Sequence, residues 1–276
     1  MGPVGLTLDR ATPALAAFAR TSDALGVSAI RLTSGERYQT VGDDVANVTS
    51  ASRLQAQTST LRSALVNGAR ATSLLQVAYD GLAQIRDILD SLSELTTTAN
   101  QTGLTTRDYA TLDAQFQSLK LQIDTIATTT KYNGAALLDG TSNGSGAPVF
   151  QLGFPANSTV TVAIPNVTSA SLFPTPVTLG NAAGASAATT TVTSASDAVN
   201  TAIAKIDGYQ SQLDTADAAT RRSIFGITNA TNALVATDTN AETTSRTRNL
   251  FQQQATATLI AQTLGLSSNL LKLVEA

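Results

Sequence analysis

LQAQTSTLRSALVNGARATSLLQVAYDGLAQIRDILDSLSELTTTA, residues 54–99, carries apolar or small side chains in unbroken steps of three and four. The seam reads Leu54, Gln57, Leu61, Ala64, Gly68, Ala71, Leu75, Ala78, Leu82, Ile85, Leu89, Leu92, Thr96 and Ala99. Alternating steps of this kind keep every residue on one face of a helix and match the a/d pattern of a coiled coil. At about 1.5 Å per residue such a helix runs about 70 Å, longer than a compact domain needs. The rhythm returns at Val199, Ile203, Ile206, Gln210, Leu213, Asp217, Thr220, Ile224, Ile227, Thr231 and Leu234. A seam cannot be buried by one helix alone, so the two ends of the chain are expected to lie together in a rod.

Composition points the same way. Of 276 residues 42% are apolar, but aromatics supply only 4% and Trp is absent. Large aromatics usually fill a thick core, so their scarcity suits thin helix-on-helix seams. Charged residues are 13%, about half the usual share, a surface suited to self-association. A net charge of −3 argues against nucleic acid, which needs clustered Lys and Arg. With no Cys and no His, disulfides, thiolate metal sites and every His-dependent triad are excluded. No cofactor or metal is expected. The first twenty residues lack the pattern of a standard signal peptide, and no stretch approaches the roughly 20 apolar residues that span a bilayer.

Along the chain, Thr12 is expected to cap a first helix with Pro13 at its first position. Its seam is Leu15, Phe18, Ser22, Leu25, Ala29 and Leu32, ended by Ser34-Gly35. Residues 35–44 form a polar connecting segment with Arg37, Asp43 and Asp44, the acidic pair suited to a helix start. The long helix covers about 45–100. A variant capping box, Thr105 with Asp108, opens a helix to about 130 with Phe116, Leu119 and Ile123 on one face. Asn133-Gly134 and Asp139-Gly140 mark turns. Two short strands are expected in a β region at about 149–165, then a linker over about 166–195 that includes the Ala/Gly/Thr-rich run Asn181–Thr191. Helix resumes over about 197–236, and a last helix covers 242–273. The fold class is therefore mainly α: an antiparallel helical hairpin with a small β-hairpin insertion and a terminal helix pair. The division expected is 1–44 with 238–276 as a terminal helical domain, and 45–237 as the rod.

At these residues the chain resembles bacterial flagellin. Arg31-Leu32-Thr33-Ser34-Gly35-Glu36-Arg37 is similar to the family's RLSSG-x-R segment, and Gly42-Asp43-Asp44 falls at its KDDAA element. Lys131-Tyr132-Asn133-Gly134 with Leu137-Leu138-Asp139-Gly140 resembles x-[FY]-NG…LLDG, and residues 252–262 resemble LQQAGTAMLAQ. The resemblance spans about 12–165 and 195–273, without the hypervariable outer domains of many flagellins. It implies a secreted, non-enzymatic subunit, exported through the flagellar type III apparatus and polymerised in the extracellular flagellar filament. It also implies partners: other copies of the chain, other flagellins, cap and hook-associated proteins, and an export chaperone on the C-terminal helix, with no membrane and no nucleic acid. Leu15, Phe18, Leu25, Leu32, Leu250, Leu259, Leu264 and Leu270 would then carry polymerisation contacts, in terminal helices that order on assembly. A hook-filament junction protein is a close alternative. A secreted carbohydrate-binding protein would need exposed aromatics in the β region, where only Phe150, Phe154 and Phe173 are available.

Asn-x-Ser/Thr sequons such as those at Asn47, Asn143, Asn157 and Asn166 are read as chance occurrences in a Thr-rich chain. Asp43-Asp44 is read as helix-start charge in polar contact with Arg37 rather than as a metal pair.

Overall fold

The computed structural model describes residues 3–38, 40, 42–153 and 158–274, and the surroundings of side chains over 12–38, 40, 42–144, 146–153 and 158–265. Among them are six α-helices: α1 (Pro3–Ser34), α2 (Val45–Ala99), α3 (Thr106–Thr129), α4 (Ser169–Leu172), α5 (Ala182–Val235) and α6 (Thr239–Val274). Strands β1 (Lys131–Tyr132) and β2 (Ala135–Ala136) form one antiparallel hairpin, and β3 (Val149–Gln151) and β4 (Thr159–Thr161) form another. The chain divides into two compact units, residues 1–56 with 227–276, and residues 57–226.

In the 57–226 unit the α2 seam is buried from Leu61 to Ala99, with Leu75, Leu82, Ile85, Leu89 and Leu92 essentially sealed from solvent. From α5, Val199, Ala202, Ile206 and Leu213 join the same core, and from α3, Phe116, Ile123 and Ala127. Two contacts fix the sense of α2 against α5. Asp217 lies over Gly68, and the Asn100 side-chain amide donates to Thr189 Oγ1 at 3.0 Å. As α2 runs from Gly68 to Asn100, α5 runs back from Asp217 to Thr189, so the helices are antiparallel.

Helix α3 starts on a capping box. The Asp108 N–H donates to Thr105 Oγ1, and the Thr105 N–H donates to the Asp108 carboxylate. Its outer residues then strap down the Pro-rich segment that follows β4. The Asp124 carboxylate accepts both the N–H and the hydroxyl of Ser169 (2.7 and 2.6 Å). Gln117 donates to the Val177 carbonyl, and Asp113 accepts the Leu179 N–H at 2.8 Å. These bonds satisfy backbone groups that no ladder serves. They hold Val167, Leu172, Phe173, Val177 and Leu179 in the core.

Three helix starts differ from the sequence reading: α6 begins at Thr239 rather than 242, and the other two differ by more. Helix α1 does not begin at Thr12-Pro13: it begins at Pro3 and continues through Pro13. Pro13 supplies no N–H, a loss worth about 3 kcal/mol in a helix interior. Strong helix formers on both sides, including Ala11, Ala14, Ala16 and Ala17, carry the helix across it. Helix α5 begins at Ala182, not near residue 197, so the linker ends at Asn181 rather than at about 195. Asn181 caps it, its side chain accepting the Gly184 N–H at 2.8 Å. The Ala-rich run is itself a thin seam, with Ala185, Ala188, Val192 and Ala195 buried at helical spacing. Small side chains gave it the composition of a linker, while Ala is the strongest helix former.

Candidate assembly surface

In the unit formed by both chain ends, α1 and α6 pack along each other. Their polar contacts show the pair to be antiparallel: Ser28 donates to Glu242, and Gln253 donates to Ser22 Oγ at 2.8 Å. Arg31 lies 3.8 Å from the Glu242 carboxylate. Ser28 is buried, so its hydroxyl depends on Glu242 for a partner.

The apolar side chains of the pair are only partly used. Phe18, Leu25 and Leu32 are half-buried. Leu15 is 54% exposed, Phe251 68% and Leu264 59%, and Val27, Ile30, Leu250 and Leu259 are exposed too. Leu270 lies outside the residues whose side chains are described. Phe251, Val27 and Ile30 were not picked out by periodicity, because they fall off the three-four seams. Phe251 adjoins Leu250 and Ile30 adjoins Ala29, whereas Val27, two residues from both Leu25 and Ala29, lies on the other side of α1.

The connecting segment is fixed by backbone pairing to the far side of the chain. Gly35 takes a left-handed conformation (φ 73°), which glycine adopts without strain, and its N–H closes α1 on the Arg31 carbonyl. Glu36 bridges to Ala236, Arg37 donates its N–H to the Val235 carbonyl at 2.7 Å, and Thr237 donates back to Gly35 at 2.9 Å. Asp44 opens α2, accepting the Asn47 N–H and side-chain amide and the Tyr38 hydroxyl. The Asn47 bonds, with a smaller contribution from the Arg37 charge, hold the Asp44 carboxyl below its usual range. Asp43 accepts from the backbone and hydroxyl of Thr40. Arg37 stacks 4.9 Å above the Tyr38 ring.

Leu75, Leu82, Ile85, Leu89, Leu92, Phe116, Ile123, Ile206 and Leu213 are buried together in the 57–226 unit, with Leu119 half-buried at its edge. Leu137, Leu138, Val162, Ile164 and the Val167–Leu179 segment also enter that core. Val162 and Ile164 continue the alternation of the expected strand, whereas the others lie in irregular or short elements with no period to announce them. In the β region, Phe173 is buried with its ring 6.2 Å from Phe116, edge to face, and Phe150 is half-buried. Neither offers a sugar platform, and Phe154 lies outside the described residues. Among the described residues no group of three or more Asp and Glu is placed to hold a metal ion, and no helix is long and apolar enough to cross a membrane.

In fold the chain is like a Vibrio parahaemolyticus structure assigned to a flagellar hook-associated protein, with a TM-score of 0.59 at 16% identity over 70% of this chain and all of that one. That likeness is one of fold. The family follows from the sequence comparisons: residues 7–143 match the bacterial flagellin N-terminal helical region, and the chain belongs to the flagellin family. It is 34% identical to flagellin A of Helicobacter pylori over 151 residues, 55% of this chain and 29% of that protein. It is 31% identical to the flagellin of Listeria monocytogenes over 119 residues, 43% of this chain and 42% of that one. The chain thus spans less than half the length of these relatives.

Proposed function

We propose that this chain is a structural, non-enzymatic subunit that polymerises into the extracellular bacterial flagellar filament. The observation that carries the reading is the contrast between the two units. One buries the α2 seam from Leu61 to Ala99 and leaves Val66, Leu121, Val149 and Phe225 exposed outside it, whereas the smaller α1–α6 pair exposes Leu15, Val27, Ile30, Leu250, Phe251, Leu259 and Leu264. Each such side chain gains about 1.5–3 kcal/mol when fully buried. Covering them with the terminal helices of other copies would supply an interface between different surfaces of successive subunits. When the rotation between subunits does not close, such a contact builds an open helical polymer.

Membership of the flagellin family supports the same reading, as does the sparse charge of the surface. The partners follow: other copies of the chain, cap and hook-associated proteins at the filament ends, and an export chaperone holding α6 before assembly. Electron microscopy of concentrated full-length protein tests the proposal. Long tubes are expected. Assemblies that stop at short rings would favour a hook-filament junction role, and a protein that stays monomeric would contradict both.

A further inference from the structure

The dipeptide Asn-Gly occurs three times, at Asn67-Gly68, Asn133-Gly134 and Asn143-Gly144, each in a different backbone setting. In every one a side-chain carboxamide adjoins a backbone nitrogen that no neighbouring Cβ shields. Whether the two can react depends on how the backbone aims them.

At Asn67-Gly68 both residues are inside α2, so the peptide is fixed by the helix ladder. Gly68 is buried under Asp217, and the Asn67 amide is turned to the Gln151 carbonyl at 3.3 Å. At Asn133-Gly134 both residues are left-handed (φ 50° and 83°), the geometry of a type I′ turn. That turn is clamped by the pairing of Tyr132 with Ala135. A left-handed residue of this kind carries the next peptide nitrogen on the side away from its own Cβ.

Asn143 is different. Its backbone is extended (φ −122°, ψ 157°), and its side-chain oxygen accepts the N–H of Gly144 at 2.9 Å. A carbonyl carbon lies about 1.2 Å from its oxygen, so the Gly144 nitrogen is within about 4 Å of the carbon it would attack. Both residues are exposed, and the three-ten turn that follows is closed by long bonds of 3.2 Å from Gly146 and Ala147. Water has access, and little holds the peptide against the small rotation that ring closure needs.

We propose that Asn143-Gly144 is a site of spontaneous covalent modification, at which the chain converts its own carboxamide to a carboxylate. Base removes the Gly144 amide proton, and the nitrogen forms a bond to the Asn143 side-chain carbonyl carbon. The bond from that carbon to Nδ2 breaks, and ammonia leaves with a proton from water, giving a cyclic imide. Water then adds to one of the two imide carbonyls. Opening on the side-chain side restores the Gly144 N–H and leaves an aspartyl residue. Opening on the main-chain side leaves an isoaspartyl residue, with one extra carbon in the backbone before β3. Either product adds a negative charge to a chain whose net charge is −3.

The test ages the full-length protein at mildly alkaline pH, folded in buffer and separately in concentrated urea, and follows all three positions by peptide mass spectrometry. In the folded protein position 143 is expected to convert at least about tenfold faster than positions 67 and 133. In urea, where the backbone settings are erased, the three rates should converge to within about twofold. Asn133→Gln should leave conversion at 143 unchanged. Comparable rates at 143 and 133 in the folded protein, or a lead by 67 or 133, would overturn the assignment.

Discussion

The carboxylate of Asp217 lies over Gly68 so closely that a Cβ added to the glycine would sit 2.5 Å from Asp217 Oδ1. That oxygen is buried and accepts no hydrogen bond. Burial pushes the Asp217 carboxyl above the ordinary value, opposed by the charge of Arg221 and reinforced by that of Asp214. A heptad seam that places at one position an acid whose burial Arg221 offsets only in part gives up stability there.

Asp217→Asn is therefore expected to raise the melting temperature at neutral pH. The sign follows from linkage: a carboxyl whose folded value is raised favours the folded state when protonated, and that advantage is lost as pH rises through the folded value. The gain from Asp217→Asn should thus shrink as pH falls toward the ordinary 3.8. Asp44, Asp108 and Asp139 are shifted the other way by hydrogen bonds, so acid destabilises through them in both proteins, and the difference isolates Asp217. Melts followed by helical circular dichroism at neutral and acidic pH measure it. A variant less stable than the parent at neutral pH would mean that the carboxylate has a favourable partner.

Two glycines of the same helix should respond oppositely to alanine. Gly68→Ala meets only the tip of Asp217, which can turn to solvent, while alanine gains about 1 kcal/mol of helix propensity. It should be neutral or stabilising. A Cβ at Gly81 meets Thr130 Oγ1 at 2.7 Å and Leu138 Cδ1 at 2.8 Å, and Leu138 is sealed in the core. Gly81→Ala should cost about 1–3 kcal/mol by overpacking. Urea titrations of the two variants should separate them in that order, and equal effects would refute the close approach at Gly81.

Leu82→Ala removes a fully buried side chain from the centre of the shared core. A loss of about 2–5 kcal/mol is expected, the range for cavities that relax only partly. A loss well under 1 kcal/mol in urea would show that α3 and α5 close over the gap.

Periodicity made the long helices legible wherever large side chains set the rhythm, as from Leu61 to Leu92 and from Val199 to Leu213. It did not reveal the first turns of α5, because Ala185, Ala188 and Ala195 bury so little each that composition reads as linker. Nor did it reveal α1 ahead of Pro13, where a local breaker is outweighed by its neighbours. The strapping of Val167–Leu179 onto α3 depends on Asp113, Gln117 and Asp124, whose partners lie far along the chain and follow no spacing rule. For the assembly surface, the seam leucines were visible, but Phe251 was not. Its importance lies in being left uncovered, which only the packed pair can show.

That exposure gives the account its sharpest test, the critical concentration for polymer formation measured by sedimentation for the parent and for a Phe251→Gln, Leu259→Gln variant. Both positions are exposed on α6 and glutamine is a good helix former, so the monomer should melt within about 0.5 kcal/mol of the parent. The parent is expected to pellet as long polymers, while the variant stays in the supernatant or needs at least about tenfold more protein. Polymerisation of the variant at the parent's critical concentration, with its fold intact, would contradict assembly through the α1–α6 face.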